Sequence, residues 1–268
     1  MNVLRDIIAR TAEDLIVAKA LRPLSTVVSE ADEKSQAAPA LDVLARFRDR
    51  SAGLNVIAEV KRSSPSAGAL AQIADPAALA SVYAQAGSAM VSVLTEPHWF
   101  HGSLTDLMQV RAEVATPILR KDFIVDEYQI AQARAAGADC VLLIVAGLAD
   151  TQLADLLHCS REWSMEPLVE VHSHHELHRA IDVGATIIGV NARDLTTLKV
   201  NPGLFAELAS DIPADCVAVA ESGIATIDDA RAVAESGADA ILVGQALVQS
   251  ADPAALISSF SAIERGRR

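Results

Sequence analysis

The amino-acid sequence predicts a single (β/α)8 TIM barrel with an N-terminal helical extension, and three observations carry that prediction. Eight short apolar, β-branched runs alternate with longer stretches of helical period, the signature of parallel strands joined by crossover helices. Each run is nearly continuous in hydrophobicity, as strands covered on both faces are. An internal repeat then divides the eight units into four equal pairs. A length of 268 residues suits one barrel domain.

Residues 1–50 precede the first run and form the expected extension; residues 51–268 form the barrel. The extension reads as a helix to about Leu21, a polar stretch from Ser25 to Ala38, and a second helix from Pro39 to Arg50, with Pro39 at a first helical position. So short a helical pair buries little surface alone, so it is not expected to be a separate folded domain. The strand runs follow as LNVIAEV (54–60), AMVSVLT (89–95), PILRKDF (117–123), DCVLLIV (139–145), PLVEV (167–171), TIIGVN (186–191), CVAVAE (216–221) and DAILVG (239–244). Before the second, fourth, sixth and eighth strands an Ala-rich helix ends in a glycine: Gly87, Gly137, Gly184 and Gly237, spaced by 50, 47 and 53 residues. Glycine there ends a helix in the left-handed conformation without steric cost.

Composition excludes several functions. A formal charge of −13 opposes nucleic acid and anionic membrane surfaces, both of which are held by Lys and Arg. Cys140, Cys159 and Cys216 show neither paired nor metal-type spacing and read as buried apolar residues. The first residues, MNVLRDIIARTAEDL, carry charges throughout an amphipathic pattern and lack the apolar core of a signal peptide. The longest apolar run, Cys140 to Leu148, is too short to span a bilayer. The expected location is the cytoplasm, and no oligomeric state is read.

In a (β/α)8 barrel the chemistry sits at the C-terminal ends of the strands. There the sequence places Glu59 and Lys61 on one side of strand one, Arg120, Lys121 and Asp122 on strand three, and Glu170 on strand five. Asn191 ends strand six with Arg193 and Asp194 beyond it, and Glu221 ends strand seven. Charges converging on one mouth are costly unless paired or used, so they read as an acid–base site rather than a plug. Ser222-Gly223 and Gly244-Gln245 follow strands seven and eight, where barrels bind phosphate through loop amides, and Ser64 adds a hydroxyl. Trp99-Phe100 reads either as packing or as an apolar wall for an aromatic ring. His172, His174, His175 and His178 offer an apparent metal pair. Ser173 and Glu176 instead make a capping box, with the histidines on a solvated first turn. Thr226 and Asp229 make a similar cap. No third ligand at metal spacing follows, so neither a metal nor an organic cofactor is expected.

At these strand ends the sequence resembles the indole-3-glycerol phosphate synthases, through IAEVKRSSPSAG (57–68), SVLTEPHWFHGSL (92–104), PILRKDFIVDEYQI (117–130), PLVEVH (167–172), IIGVNARDLTTLKVN (187–201), AVAESGI (218–224) and ADAILVGQAL (238–247). The combination is specific; no single segment is. The resemblance implies closure of 1-(2-carboxyphenylamino)-1-deoxyribulose 5-phosphate, an anionic sugar phosphate, to an indole with loss of CO2 and water. It implies Lys121 as general acid, Lys61 as partner of the substrate carboxylate and a candidate second acid, and Glu170 as base. Glu59 orients Lys61, Asn191 and Glu221 position substrate, and Arg193 organises these carboxylates. Ser64, Ser222, Gly223, Gly244 and Gln245 belong to the phosphate site, and Phe123 lines the aromatic pocket. Gln245 stands where the family often has Ser, and Ala67 where it often has Lys. The histidine-rich stretch is often acidic in relatives. Alternatives are another sugar-phosphate barrel isomerase and a catalytically silent barrel that serves as an interaction partner.

Overall fold

All eight apolar runs are strands in the computed structural model, which describes residues 3–49 and 53–266. They are β1 (Asn55–Val60), β2 (Met90–Leu94), β3 (Ile118–Lys121), β4 (Cys140–Ile144), β5 (Leu168–Val171), β6 (Ile187–Asn191), β7 (Val217–Glu221) and β8 (Ala240–Val243). Each pairs in parallel with its sequence neighbours, and β8 closes on β1 through Asn55 and Ala240. The sheet is a closed eight-stranded barrel.

Side chains alternate between two cores. Val56, Ala58, Val91, Val141, Val169, Ile188, Ala218 and Ile241 face outward into the layer between strands and helices. Ile57, Met90, Leu119, Cys140, Leu142, Leu168, Ile187, Val219 and Leu242 fill the interior. Continuing that period of two along β1, β3, β5 and β7 puts Glu59, Lys121, Glu170 and Glu221 in the interior at its C-terminal rim. The barrel is apolar below and charged above because the inward positions are so written.

The crossover helices start where short polar residues stand. Asp75, Ser103, Asp126, Ser173, Thr226 and Asp252 each accept a backbone N–H of the first turn, satisfying donors a helix leaves free. The glycines of the repeat have positive φ: 92° at Gly87, 94° at Gly137, 78° at Gly184 and 97° at Gly237.

The N-terminal region departs from expectation. Helix α1 (Val3–Leu21) stands as read, but the stretch 25–38 is no connection: it lies almost wholly within a second helix, α2 (Leu24–Ala37). Its polarity misleads because only Val27 and Ala31 are buried, one turn apart, against Tyr128 and Ala131 of the helix Glu127–Ala136. The helix expected from Pro39 as its first position shrinks to α3 (Val43–Arg48), since Asp42 is the cap and accepts from Ala45 N at 2.8 Å. The expected end of that helix at Arg50 and the boundary between residues 50 and 51 lie outside the described residues. Tyr128 Oη donates to Ala18 O at 3.2 Å and Arg22 O at 2.9 Å, Lys19 pairs with Asp126 at 2.7 Å, and His98 pairs with Asp14 at 2.6 Å. These contacts hold α1 and α2 against the outer helices and against the loop after β2. Among the described residues, no helix is long and apolar enough to cross a membrane.

Candidate active site

A cavity of about 320 Å3 opens at the C-terminal rim, of the size that holds a small ligand. It is lined by every predicted site residue: Glu59, Lys61, Ser64, Lys121, Phe123, Glu170, Asn191, Arg193, Glu221, Ser222, Gly223, Gly244 and Gln245. Arg120, also at a strand end, stays outside it. Its odd register turns it outward, where Asp122 pairs with it at 2.8 Å and Gln129 O accepts from it at 2.7 Å. Arg120 is the structural ion pair among the charges of strand three.

Two ammonium groups occupy the cavity. Lys61 Nζ lies 2.6 Å from Glu59 Oε1, and Glu59 is fixed from behind by Ser92 Oγ, which donates to its Oε2 at 3.2 Å. Lys121 Nζ sits between two carboxylates, 2.9 Å from Glu170 Oε2 and 3.3 Å from Glu221 Oε2. Burial opposes the charge on Lys121, but Glu170, Glu221 and Glu59 outweigh it and hold the ammonium well above the usual lysine range. The carboxylates divide. Burial and the neighbouring charge of Glu170 push Glu221 up despite Lys121. Glu170 is buried too, yet Lys121 and His172 hold it far below the usual carboxylate range. The two carboxyls about 3 Å from one ammonium are thus pushed in opposite directions, Glu221 toward its neutral form and Glu170 toward its anion.

Glycines make this crowding possible. A Cβ at Gly189, the middle of β6, would overlap Glu221 Oε1, and one at Gly244 would stand 2.6 Å from Glu59 Oε1 and 3.0 Å from Lys61 Nζ. Ser222 and Gly223 both have positive φ, 65° and 76°, and turn the chain sharply after β7. Gly244 directly precedes the short helix Gln245–Gln249. Asn191 Oδ1 accepts from Arg193 N at 2.9 Å and so shapes the loop after β6. The Arg193 guanidinium donates to Leu198 O at 3.0 Å. Among the described residues it pairs with none of the site carboxylates it was expected to organise, because its own loop folds back on it. Burial lowers its pKa.

The opposite wall is apolar. Phe100 and Phe123 stand 6.0 Å apart with planes at 40°, beside Leu142, Ile144, Leu195 and Leu242. Phe100 therefore lines the cavity, whereas Trp99 packs next to it and stays out. Glu96 accepts from the backbone N–H groups of His98, Trp99 and Phe100 at 2.9, 2.7 and 2.9 Å and holds this loop. Val3, Leu4 and Ile7 of α1 add further apolar surface.

The histidines separate. His174 is exposed and pairs with Asp211 at 3.0 Å, and His175 and His178 are exposed as well. His172 is no surface residue: it is half-buried, between Glu170 at 3.3 Å and Glu176 at 3.1 Å. Glu176 closes the cap differently from a regular box. Ser173 Oγ accepts from Glu176 N, but the carboxylate accepts from His172 N at 2.8 Å, one residue early. Thr226 and Asp229 do form the full reciprocal box. Among the described residues no cluster of three or more His, Cys, Asp or Glu is arranged to hold a metal ion.

The arrangement joins an acid–base set, a second cation, an apolar slot and glycine-bordered loops in one cavity. Comparison with known proteins points the same way. The family model described as indole-3-glycerol phosphate synthase matches residues 4–260. A protein of that name from Leifsonia xyli subsp. xyli is 51% identical over 229 residues, covering 85% of this chain and 86% of the relative. Another of that name from an Arthrobacter species is 50% identical over 265 residues, covering 98% and 96%. Among solved structures, the thiamine phosphate pyrophosphorylase from Pyrococcus furiosus superposes with a TM-score of 0.59 at 15% identity, covering 82% of this chain and 96% of that one; at that identity the likeness concerns the fold alone. With the family model spanning nearly the whole chain and half the residues shared with these relatives, the chain belongs to the indole-3-glycerol phosphate synthase family.

Proposed function

We propose that the protein closes 1-(2-carboxyphenylamino)-1-deoxyribulose 5-phosphate to indole-3-glycerol phosphate, releasing CO2 and water. The observation that carries this reading is the Lys121 ammonium held between Glu170 and Glu221 while Lys61 stands in the same cavity, beside an apolar slot. In this reading the aryl ring lies against Phe123 and Phe100, its carboxylate pairs with Lys61, and the phosphate meets the loops at Ser64, Ser222, Gly223, Gly244 and Gln245. Arg193 adds positive charge from the loop after β6. Asn191 and Glu221 orient the sugar hydroxyls.

The ring carbon bearing the carboxylate attacks the ketone carbon, and Lys121 gives a proton to the oxygen as the new C–C bond forms. The bond to the carboxylate then breaks, its electron pair restores the aromatic ring, and CO2 departs. The hydroxyl leaves as water on taking a second proton from a cationic acid. Glu170 removes a proton from the adjacent carbon, whose electrons form the double bond of the five-membered ring. Two protons enter and one leaves, so each turnover of the carboxylate substrate consumes one proton. Lys61, paired with Glu59, neutralises the substrate carboxylate until it is lost. An isomerase on the same scaffold breaks no bond to a carboxylate, so its chemistry does not call for the second cation that Lys61 provides beside Glu59.

The reading assigns residues 1–50 as a cap on the mouth of the 51–268 barrel and the enzyme to the cytoplasm. The test is to incubate purified protein with the substrate, with and without EDTA, and follow indole fluorescence. Equal product formation in both supports metal-independent ring closure. Folded protein that forms no indole defeats the reading.

A further inference from the structure

His172 is a titratable group at the barrel mouth that the ring-closure scheme leaves unused. It lies outside the active-site cavity and lines a second cavity together with Glu176, Asp194, Thr197 and Lys199. The two cavities meet at Leu4, Asn191 and Leu195. The imidazole spans the wall between them. Its Nε2 lies 3.3 Å from Glu170 Oε1 and its Nδ1 3.1 Å from Glu176 Oε2. Apart from that ion pair, neither Nε2 nor Glu170 Oε1 has a hydrogen-bond partner among the described residues. Catalytic hydrogen bonds are often long before substrate binds and tighten in the complex, so a small rotation of either group completes this contact.

We propose that His172 is a positioning and proton-relay residue that connects Glu170 to Glu176 and so to the outer cavity, delivering the proton consumed in each turnover. The inference rests on the ring-closure reading, whose stoichiometry requires that delivery to Lys121 and Glu170, whose side chains are largely buried. The step balances. The imidazolium gives its Nε2 proton to Glu170, which passes it to Lys121 at 2.9 Å. The ring, now protonated on Nδ1 alone, makes a half turn about Cβ–Cγ. That carries the N–H to Glu170 and the vacant nitrogen to Glu176, through which water in the outer cavity restores the second proton. No electrons move beyond the hydrogen bonds that break and form. The groups that bear on the charge of His172 are Glu170 from β5, Glu176 from the helix His174–Asp182 and Asp194 from the loop after β6. Burial opposes the charge, but the Glu170 and Glu176 contacts prevail and raise its pKa to about 10. The relay is therefore loaded at neutral pH.

The test compares steady-state turnover in wild type, His172→Gln and Glu176→Gln across about pH 6 to 10. Glutamine at 172 still donates to one carboxylate but cannot exchange protons between two atoms. The expected result is a kcat about tenfold or more lower with KM nearly unchanged, partly restored by added imidazole. Glu176→Gln keeps an oxygen acceptor for the His172 backbone N–H. It removes a charge that raises the pKa of His172, so the alkaline fall in kcat moves to lower pH. A His172→Gln enzyme with wild-type kcat, or one that imidazole leaves unchanged, overturns the relay while the synthase reading stands. If His172→Gln does not fold, an unmoved alkaline limb in Glu176→Gln overturns it. Wild type without turnover removes the synthase reading, and the relay with it.

Discussion

Lys121 is kept in its acid form by three carboxylates, which hold the ammonium protonated beside the place where the substrate oxygen gains charge. Glu170 is held anionic and Glu221 is pushed toward its neutral form, so two chemically identical side chains about 3 Å from one nitrogen take different roles. The spacing depends on residues with no side chain at all. Gly189 sits where any Cβ overlaps Glu221 Oε1. Gly189→Ala is expected to displace Glu221 and lower kcat by about tenfold or more. Circular dichroism should remain that of a folded barrel, because the Cβ displaces only the Glu221 carboxylate and, by a few tenths of an ångström, the tip of Leu168. Wild-type kcat in this variant would show that Glu221 needs no fixed position. The sequence signals Gly189 only as an ordinary strand residue, since the neighbour that excludes a Cβ comes from β7.

At the scale of elements, the strands were legible because burial on both faces leaves a continuous apolar run. Their inward order was legible because Glu59, Lys121, Glu170 and Glu221 each stand two residues beyond an inward apolar residue of the same strand: Ile57, Leu119, Leu168 and Val219. Helix α2 was not legible. A helix that buries only Val27 and Ala31 has almost no apolar stripe, and the partner that makes it a helix, Tyr128 and Ala131, lies far along the chain. His172 misleads for a related reason: its cap position suggests solvent, while Glu170 of β5 and Glu176 of the following helix flank it. Helix α1 belongs to the site as much as to the fold, because Leu4 and Ile7 are buried and line the cavity. Ile7→Ala is expected to raise KM roughly fivefold, because the shorter side chain offers the substrate less apolar surface. Its unfolding temperature should fall less than that of Ile188→Ala, which hollows the layer between barrel and helices. A KM unchanged by Ile7→Ala would remove α1 from substrate binding.

Across the whole molecule, function and stability are set against one another at the two ends of the barrel. The lower interior is closely packed apolar side chains. The upper interior holds Lys121, Glu170 and Glu221, each at most 13% exposed at the side chain. Burying such groups costs more than their pairing returns in many proteins, and apolar or neutral replacements of the pair are often stabilising. The double substitution Lys121→Met with Glu170→Gln is therefore expected to raise the unfolding temperature by about 2 °C or more while abolishing turnover. A fall of several degrees would mean that the network holds the barrel together. The overall charge of −13 gives the same picture at longer range. It opposes an anionic ligand at long range, and inside the mouth Lys61, Lys121 and Arg193 stand beside Glu59, Glu170 and Glu221 as the local cations an anionic substrate can pair with. The most direct measurement is the single-turnover rate of indole formation by Lys121→Ala with substrate bound at saturation. The geometry predicts a rate lower than wild type by a factor on the order of 10² or more, with substrate affinity retained through Lys61 and the phosphate loops. A rate within about threefold of wild type would contradict Lys121 as the acid, and with it the chemistry read from this site.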